Sequence, residues 1–438
     1  LKDVLACSQW RIKLKEKNNM TKKRNMLIAQ SGGPSAAINA SITGAIARGM
    51  ASSKIENVLG AVNGMQGFLD RRIINISDQM TKSEDFEMLI HTPAHALGSS
   101  RYKIAKNDEE TYKRIIGILK DFNVGYFFYN GGNDSMDTVN KLAGYLKQAG
   151  EDIVAVGIPK TVDNDLELTD HTPGFGSAAR YVATSVAELY LDTCVYPLPA
   201  CTIVEIMGRN AGWLTAASAL ARETGLPAPH LIYLPEVDFD PEAFIAEVQK
   251  LMENEQQILV TVSEGLRTKD GNYLSDTGAA EDMFGHKTLG GAAHMLEKLV
   301  KEHIKIPKLK TRAIQFSTLQ RAAAHCASLT DLEESYQCGY RAVEAAVNGL
   351  TDVMITIARI SDVPYLVRYD VGDLGQIANK EKKVPLEWIT KNGTDVSVEM
   401  LTYLRPLVTG ETMGLMTGGL PRFFRFDLNR IVTPGDVK

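Results

Sequence analysis

Ile153-Val154-Ala155-Val156-Gly157-Ile158-Pro159-Lys160-Thr161-Val162-Asp163-Asn164-Asp165 reads as a strand that ends in a charged turn. The short continuous apolar run supplies the strand. Beyond it Asp163 and Asp165 stand two apart, so in extended backbone both carboxylates project to one side, with the cation of Lys160 a few residues away. One carboxylate can take a proton and the other can hold a metal, beside a cation suited to a phosphorylated substrate.

The same unit precedes it twice. Met26-Leu27-Ile28-Ala29 runs into Ser31-Gly32-Gly33-Pro34-Ser35 and a helix-like stretch from Ala36 to Met50. Val124 to Tyr129 runs into Asn130-Gly131-Gly132-Asn133-Asp134-Ser135 and a helix from about Met136 to Gln148. Strand, glycine turn and helix start present free N–H groups and the positive end of the helix dipole to an anion. A Gly-Gly turn equally serves tight packing, and Asp134 or Ser135 equally caps a helix. Between the two units, Leu97-Gly98-Ser99-Ser100-Arg101 sets an arginine on a turn; His91 and His95 lie four apart without an acidic or thiol ligand to join them.

Alternating β and α units imply a mostly parallel, doubly wound sheet whose ligands bind beyond the carboxyl ends of the strands. After His171-Thr172-Pro173-Gly174 a long helix from Ala178 to about Leu191 leads into a second such region. There Thr202 to Ile206 ends in Met207-Gly208-Arg209, and Gln257 to Ser263 ends in Glu264-Gly265. Phe284-Gly285-His286 and Leu289-Gly290-Gly291 precede a further helix. Arg312 to Arg321 reads as a strand and turn bracketed by arginines, residues suited to bidentate phosphate contacts. Asp362 to Lys438 lacks a regular pattern, and Lys380, Lys382 and Lys383 read as solvated surface. Two α/β domains with mostly parallel sheets, facing each other across a cleft, are the expected architecture.

The chain has 438 residues, too many for one ordinary core. A formal charge of -5 argues against a nucleic-acid partner. No apolar run approaches the roughly 18 residues of a membrane span. The five cysteines, Cys7, Cys194, Cys201, Cys326 and Cys338, are scattered and lack metal-ligand spacing, which fits a reduced, cytoplasmic setting. Residues 1–24 read as a poorly ordered leader ahead of the fold.

Gly32-Gly33, Gly131-Gly132-x-Asp134-Ser135, Pro159-Lys160-Thr161-x-Asp163-Asn164-Asp165 and Met207-Gly208-Arg209, in this order, resemble the phosphofructokinases from about residue 25 to 360. The resemblance implies phosphoryl transfer to the C1 hydroxyl of fructose 6-phosphate. It implies Asp163 as the base, with Lys160, Thr161 and Arg209 at the transferring group. The donor would lie against Gly32, Gly33, Arg101, Gly132, Asn133, Asp134, Ser135 and Lys160. The sugar phosphate would meet Thr161, Val162, Met207, Gly208, Glu264, Arg312, Thr318 and Arg321, with Arg312 serving across a subunit interface. Asp165 and Asn133 would stand on the side of a Mg²⁺ ion. A donor domain of 25–176 plus about 320–360, a sugar-phosphate domain of 177–319 plus 361–438, and a homo-oligomer, dimer or tetramer, are expected.

Donor choice follows from two of these positions. Asp134 stands where ATP-using relatives carry Gly, putting a carboxylate where a nucleotide's α-phosphate would lie. Two like charges at about 4 Å repel by about 1 to 4 kcal/mol between the dielectric of water and an effective value of 20. Lys160 also replaces a Gly and adds a cation beside the reacting groups, so pyrophosphate is the expected donor and the reaction reversible. Asn133 stands where the family carries a metal-binding Asp, Thr318 where it carries His or Tyr, and Ala200 where it carries an arginine. The alternatives are an ATP-dependent kinase on the same fold and a catalytically silent, sugar-phosphate-binding subunit.

Overall fold

The computed structural model describes residues 23–100, 102, 104, 105, 108–274 and 291–437. Its two principal sheets are built from β1 (Arg24–Gln30), β2 (Ile55–Ala61), β3 (Ile73–Asn75), β4 (Val124–Gly131), β5 (Val154–Pro159), β6 (Ala200–Ile206), β7 (Leu231–Tyr233), β8 (Gln257–Ser263), β9 (Lys310–Gln315), β10 (Val353–Asp362) and β11 (Tyr365–Asp373). The larger sheet has the order β11-β10-β5-β4-β1-β2-β3 and the smaller β7-β8-β6-β9. The smaller sheet is parallel throughout, and the larger is parallel apart from β3 and β11 at its edges. The fold is therefore α/β with two mostly parallel sheets.

Both faces of each sheet are covered, as parallel sheets require. In β1, Leu27 and Ala29 enter one core while Met26 and Ile28 enter another. In β6, Cys201 and Ile203 face one core and Val204 and Ile206 the other. The period-two alternation of side chains thus feeds apolar residues to both sides of each strand. Long helices fill the layers: Ile38–Met50 and Leu329–Val347 pack together against the larger sheet, and Phe175–Thr193 lines the smaller one.

Three sequence expectations differ from this arrangement. Arg24 already belongs to β1, its Nη2 donating to the Val124 carbonyl at 2.8 Å, so the strand begins inside the stretch read as leader; residues 1–22 lie outside the described residues. The stretch after Asp362 is not irregular: β11 turns back from β10 and extends the larger sheet. Residues 361–438 accordingly divide. Phe424, Phe426 and Val437 pack in the cores of the larger sheet, and Val384, Val396, Met400 and Leu404 in that of the smaller. The proline-bearing turn at Val363-Pro364 breaks the apolar run that would have marked the hairpin.

Candidate active site

Pairing register gathers the three sequence-predicted turns at one edge. Gln30 lies opposite Asn130 across β1 and β4, and Gly131 opposite Pro159 across β4 and β5. The stretches following these strands therefore emerge side by side, at the position where the chain leaves β1 for β2 on one side and β4 on the other. Gly32 sits at φ +81°, a backbone state glycine enters freely. Lys160 is buried, and its Nζ donates to the Gly33 carbonyl at 2.6 Å.

The smaller sheet supplies the opposite wall. Ile206 and Ser263 lie opposite one another in β6 and β8, so Met207 and Arg209 leave beside Glu264. Ser263 Oγ donates to the Gly208 carbonyl and accepts from the Gly265 N–H at 3.1 Å. A Cβ on Gly265 would lie 1.9 Å from the Arg209 carbonyl oxygen, so only glycine lets the two turns approach this closely. Arg321, on the short helix Leu319–Ala322, brings its guanidinium across to the glycine turn; a Cβ on Gly33 would lie 3.3 Å from its Nη1.

The walls enclose a cleft of ≈ 850 Å³. Gly32, Gly33, Gly132, Asn133, Asp134 and Ser135 line it from one side, Met207, Arg209, Glu264 and Arg321 from the other, and Lys160, Thr161, Val162, Asp163 and Asp165 between them. Burial raises the Asp163 carboxyl above the usual range, against the pull of Lys160, Arg209 and Arg321. Burial, and then the charge of Asp163, push Asp165 up to about 7; Glu264 is pushed up to about 7 for the same two reasons. Burial and the Lys160 charge hold His95 down at about 3, so it is a neutral ring behind the site, with Nε2 3.4 Å from the Ser31 carbonyl. Asp163, Asp165 and Glu264 thus share one confined space with Lys160, Arg209 and Arg321. Each of these three carboxyls is raised toward the pKa of a proton acceptor working at neutral pH.

The acidic loop is held from beneath. Asn164 is buried at φ +55°; its Nδ2 donates to the Tyr403 hydroxyl at 2.8 Å and its Oδ1 accepts from the Thr172 N–H at 3.1 Å. Thr172 Oγ1 donates to the Thr161 carbonyl at 2.8 Å, and the Asp163 N–H donates to Thr161 Oγ1 at 3.1 Å. These contacts turn the Asn164 side chain inward, which leaves Asp163 and Asp165 facing the cleft on either side of it.

A family model described as Phosphofructokinase matches residues 25–346. The chain belongs to the phosphofructokinase family. Within it, the chain is 39% identical over 416 residues to the Pyrophosphate--fructose 6-phosphate 1-phosphotransferase of Halomonas elongata, covering 93% of this chain and 97% of the relative. The protein of the same name from Methylococcus capsulatus is 40% identical over 411 residues, covering 91% and 95%. Among solved structures, the pyrophosphate-dependent phosphofructokinase from Marinobacter aquaeolei superposes with a TM-score of 0.83 at 37% identity, over 93% of this chain and 97% of that one.

Not every residue implied by the phosphofructokinase resemblance reaches the cleft. Arg312 is ion-paired with Asp192 on the exposed side of β9, so within one chain it is a surface residue. Thr318 is exposed ahead of the helix Leu319–Ala322 and is absent from the lining. Gly208 stands behind it at φ +133°, shaping the turn that carries Arg209. Arg101 lies outside the described residues, as do the Phe284-Gly285-His286 and Leu289-Gly290 turns. His91 is engaged with the Glu87 carbonyl at 2.9 Å and Thr412 Oγ1 at 2.7 Å rather than paired with His95.

Sequence reading missed a further segment altogether. Asn379, Glu381 and Lys383 line the cleft, and Tyr102 and Asn210 join them. Lys382, expected on a solvated surface, is half-buried: its Nζ donates to the carbonyls of Thr169 at 3.0 Å and Asp170 at 2.6 Å and lies 5.3 Å from the centre of the Trp213 ring. Burial, opposed by Asp170 and Asp165, lowers its pKa to about 8. A run of charges with no apolar period gives no sign that it borders a cleft. Asn133, expected beside the metal, has both ends of its amide engaged by this segment: Oδ1 accepts from the Asn379 N–H at 2.6 Å and Nδ2 donates to the Lys380 carbonyl.

Proposed function

We propose that the chain catalyses the reversible transfer of a phosphoryl group from pyrophosphate to the C1 hydroxyl of fructose 6-phosphate, giving fructose 1,6-bisphosphate and phosphate. The observation that carries this reading is the buried Lys160, anchored on the Gly33 turn and opening into the same cleft as Asp163 and Asp134. The names of the relatives from Halomonas elongata and Methylococcus capsulatus support the same donor and acceptor.

In the forward direction Asp163 accepts the C1 hydroxyl proton as the oxygen attacks phosphorus. The P–O bond to the bridging oxygen breaks, and phosphate leaves with that oxygen. Lys160 and Arg209 neutralise charge on the transferring group and its leaving partner, the main electrostatic work of phosphoryl transfer. Thr161 and the Gly32-Gly33 and Gly132 turns orient the donor, and Met207, Glu264 and Arg321 orient the sugar phosphate. Asp134 stands against the room a nucleotide's α-phosphate would need.

Mg²⁺ fits this site. Asp165 Oδ1 is buried and has no hydrogen-bond partner, an acceptor in want of a cation. Among the described residues no cluster of three or more His, Cys, Asp or Glu could hold a metal by itself, as expected for an ion held by one or two carboxylates together with substrate phosphates. When bound, Mg²⁺ supplies positive charge to the phosphate oxygens. Asp165 is the residue of this chain that would hold it.

No helix among the described residues is long and apolar enough to cross a membrane, and the described cysteines are all free, in keeping with the reducing cytoplasm. Leu191, Val195 and Tyr196, exposed on and just beyond the helix Phe175–Thr193, support assembly into a homo-oligomer, dimer or tetramer. The activity is tested by ³¹P NMR of the purified chain in both directions. Pyrophosphate should be consumed with fructose 6-phosphate and Mg²⁺, and formed from fructose 1,6-bisphosphate and phosphate. Absence of both conversions refutes the proposal.

A further inference from the structure

We propose that residues 379–383 are a strap across the cleft, keyed in place by Asn133, and that Asn133 is therefore a positioning residue rather than one that holds metal. Three anchors carry this. On the donor side, Asn133 accepts from the backbone of Asn379 at 2.6 Å and donates to the carbonyl of Lys380. Under the acidic loop, the Lys382 N–H donates to the Asp165 carbonyl at 2.8 Å. On the sugar side, Asn210 Nδ2 donates to Glu381 Oε1 at 2.7 Å. One short segment thus touches the glycine turn after β4, the loop after β5 and the turn after β6, and places Glu381 and Lys383 on the lining between them.

The first anchor explains the residue type. It needs an acceptor and a donor on one side chain, which an amide has and an ionised carboxylate lacks. An Asp at 133 would keep the bond from the Asn379 N–H but turn a second oxygen toward the Lys380 carbonyl, leaving two acceptors face to face. An aspartate at 133 would therefore be incompatible with a docked strap. In this chain the amide of Asn133 serves to hold the segment 379–383.

Trp213 reports on the strap directly. Its Nε1 donates to the Lys382 carbonyl at 2.9 Å, and the Lys382 ammonium sits over its ring. The test uses the full chain with Trp10→Phe and Trp388→Phe, so that Trp213 is the sole emitter, and adds Asn133→Asp, Glu381→Ala and the pair. Each single change should shift Trp213 emission to the red and raise the KM for pyrophosphate about tenfold, the scale of one lost hydrogen bond. The pair should be no worse than the stronger single, because a released strap has nothing further to lose. Asn133→Asp should leave the Mg²⁺ requirement unlowered. Should that variant not fold, Asn133→Ala removes both hydrogen bonds without adding a charge and takes its place in the cycle.

Unchanged Trp213 emission in Asn133→Asp, a lowered Mg²⁺ requirement, or effects that multiply in the pair would overturn the proposal. The KM arm rests on pyrophosphate being the donor. The emission arm does not, so a chain that fails to use pyrophosphate still reveals whether the strap is keyed by Asn133.

Discussion

Lys160 Nζ donates to the carbonyl of Gly33 at 2.6 Å, tying the strand that carries the acidic loop to the glycine turn of the neighbouring unit. The cation is thereby fixed where a donor phosphate would meet the turn, with its charge available to Asp163 and felt by His95. Lys160→Met keeps much of the volume and removes the charge. It should lower kcat with pyrophosphate by about 10²–10³-fold, the effect of deleting one preorganised charge-stabilising group, as steady-state kinetics will read.

Asp163→Asn should lower kcat by about 10²–10⁴-fold, the range for loss of a general base, with fructose 6-phosphate still binding. Asp163 works only when deprotonated, and burial raises its pKa while Asp165 beside it is pushed up to about 7. Activity should therefore fall toward acid pH, with an acid limb above the ordinary carboxylate range. Asp165→Asn removes the neighbouring negative charge, so the acid limb of the pH profile should move to lower pH while the Mg²⁺ requirement rises.

The same substitution should stabilise the ligand-free fold. Asp165 has a folded pKa of about 7 against an ordinary value of 3.8. Its protonated form is thus favoured in the fold, and that stability is full below the unfolded pKa and lost as pH rises through about 7. Asp165→Asn should raise the melting temperature at pH 8, by an amount equivalent to about 1–3 kcal/mol, and the gain should shrink toward pH 4. Thermal melts of both proteins without Mg²⁺ across that range measure it.

Asn164→Ala deletes the bonds to Tyr403 and Thr172 and forces alanine to φ +55°. It should cost about 1–3 kcal/mol of stability. It should also lower kcat more than it raises either KM, because it displaces Asp163 without removing it. Tyr403→Phe removes only one partner and should fall between this variant and the parent on both measures.

The three strand and turn units were legible because each pairs a short apolar run with glycines and charges at fixed offsets, and parallel register then carries Gly33, Gly132 and Lys160 to one edge. Met207, Arg209 and Glu264 were legible for the same reason in β6 and β8. Asn379 to Lys383 was not, because a charge run that bridges two walls of a cleft has the composition of any surface loop, and its partners Asn133 and Asn210 lie 246 and 171 residues away in sequence from Asn379 and Glu381. Arg312, expected to serve across a subunit interface, lies on the surface and pairs with Asp192 within its own chain. The hairpin of β10 and β11 was hidden by Pro364 and by the mixed polarity of an edge strand, and only its pairing reveals that the larger sheet continues there.

Donor choice is decided by one comparison: initial rates of fructose 6-phosphate phosphorylation with Mg²⁺ and either pyrophosphate or ATP, for the parent chain and for Asp134→Gly. With Asp134 against the room of an α-phosphate, kcat/KM for pyrophosphate should exceed that for ATP by about one to three powers of ten, and Asp134→Gly should narrow the gap. Turnover of the parent chain with ATP and none with pyrophosphate would contradict it.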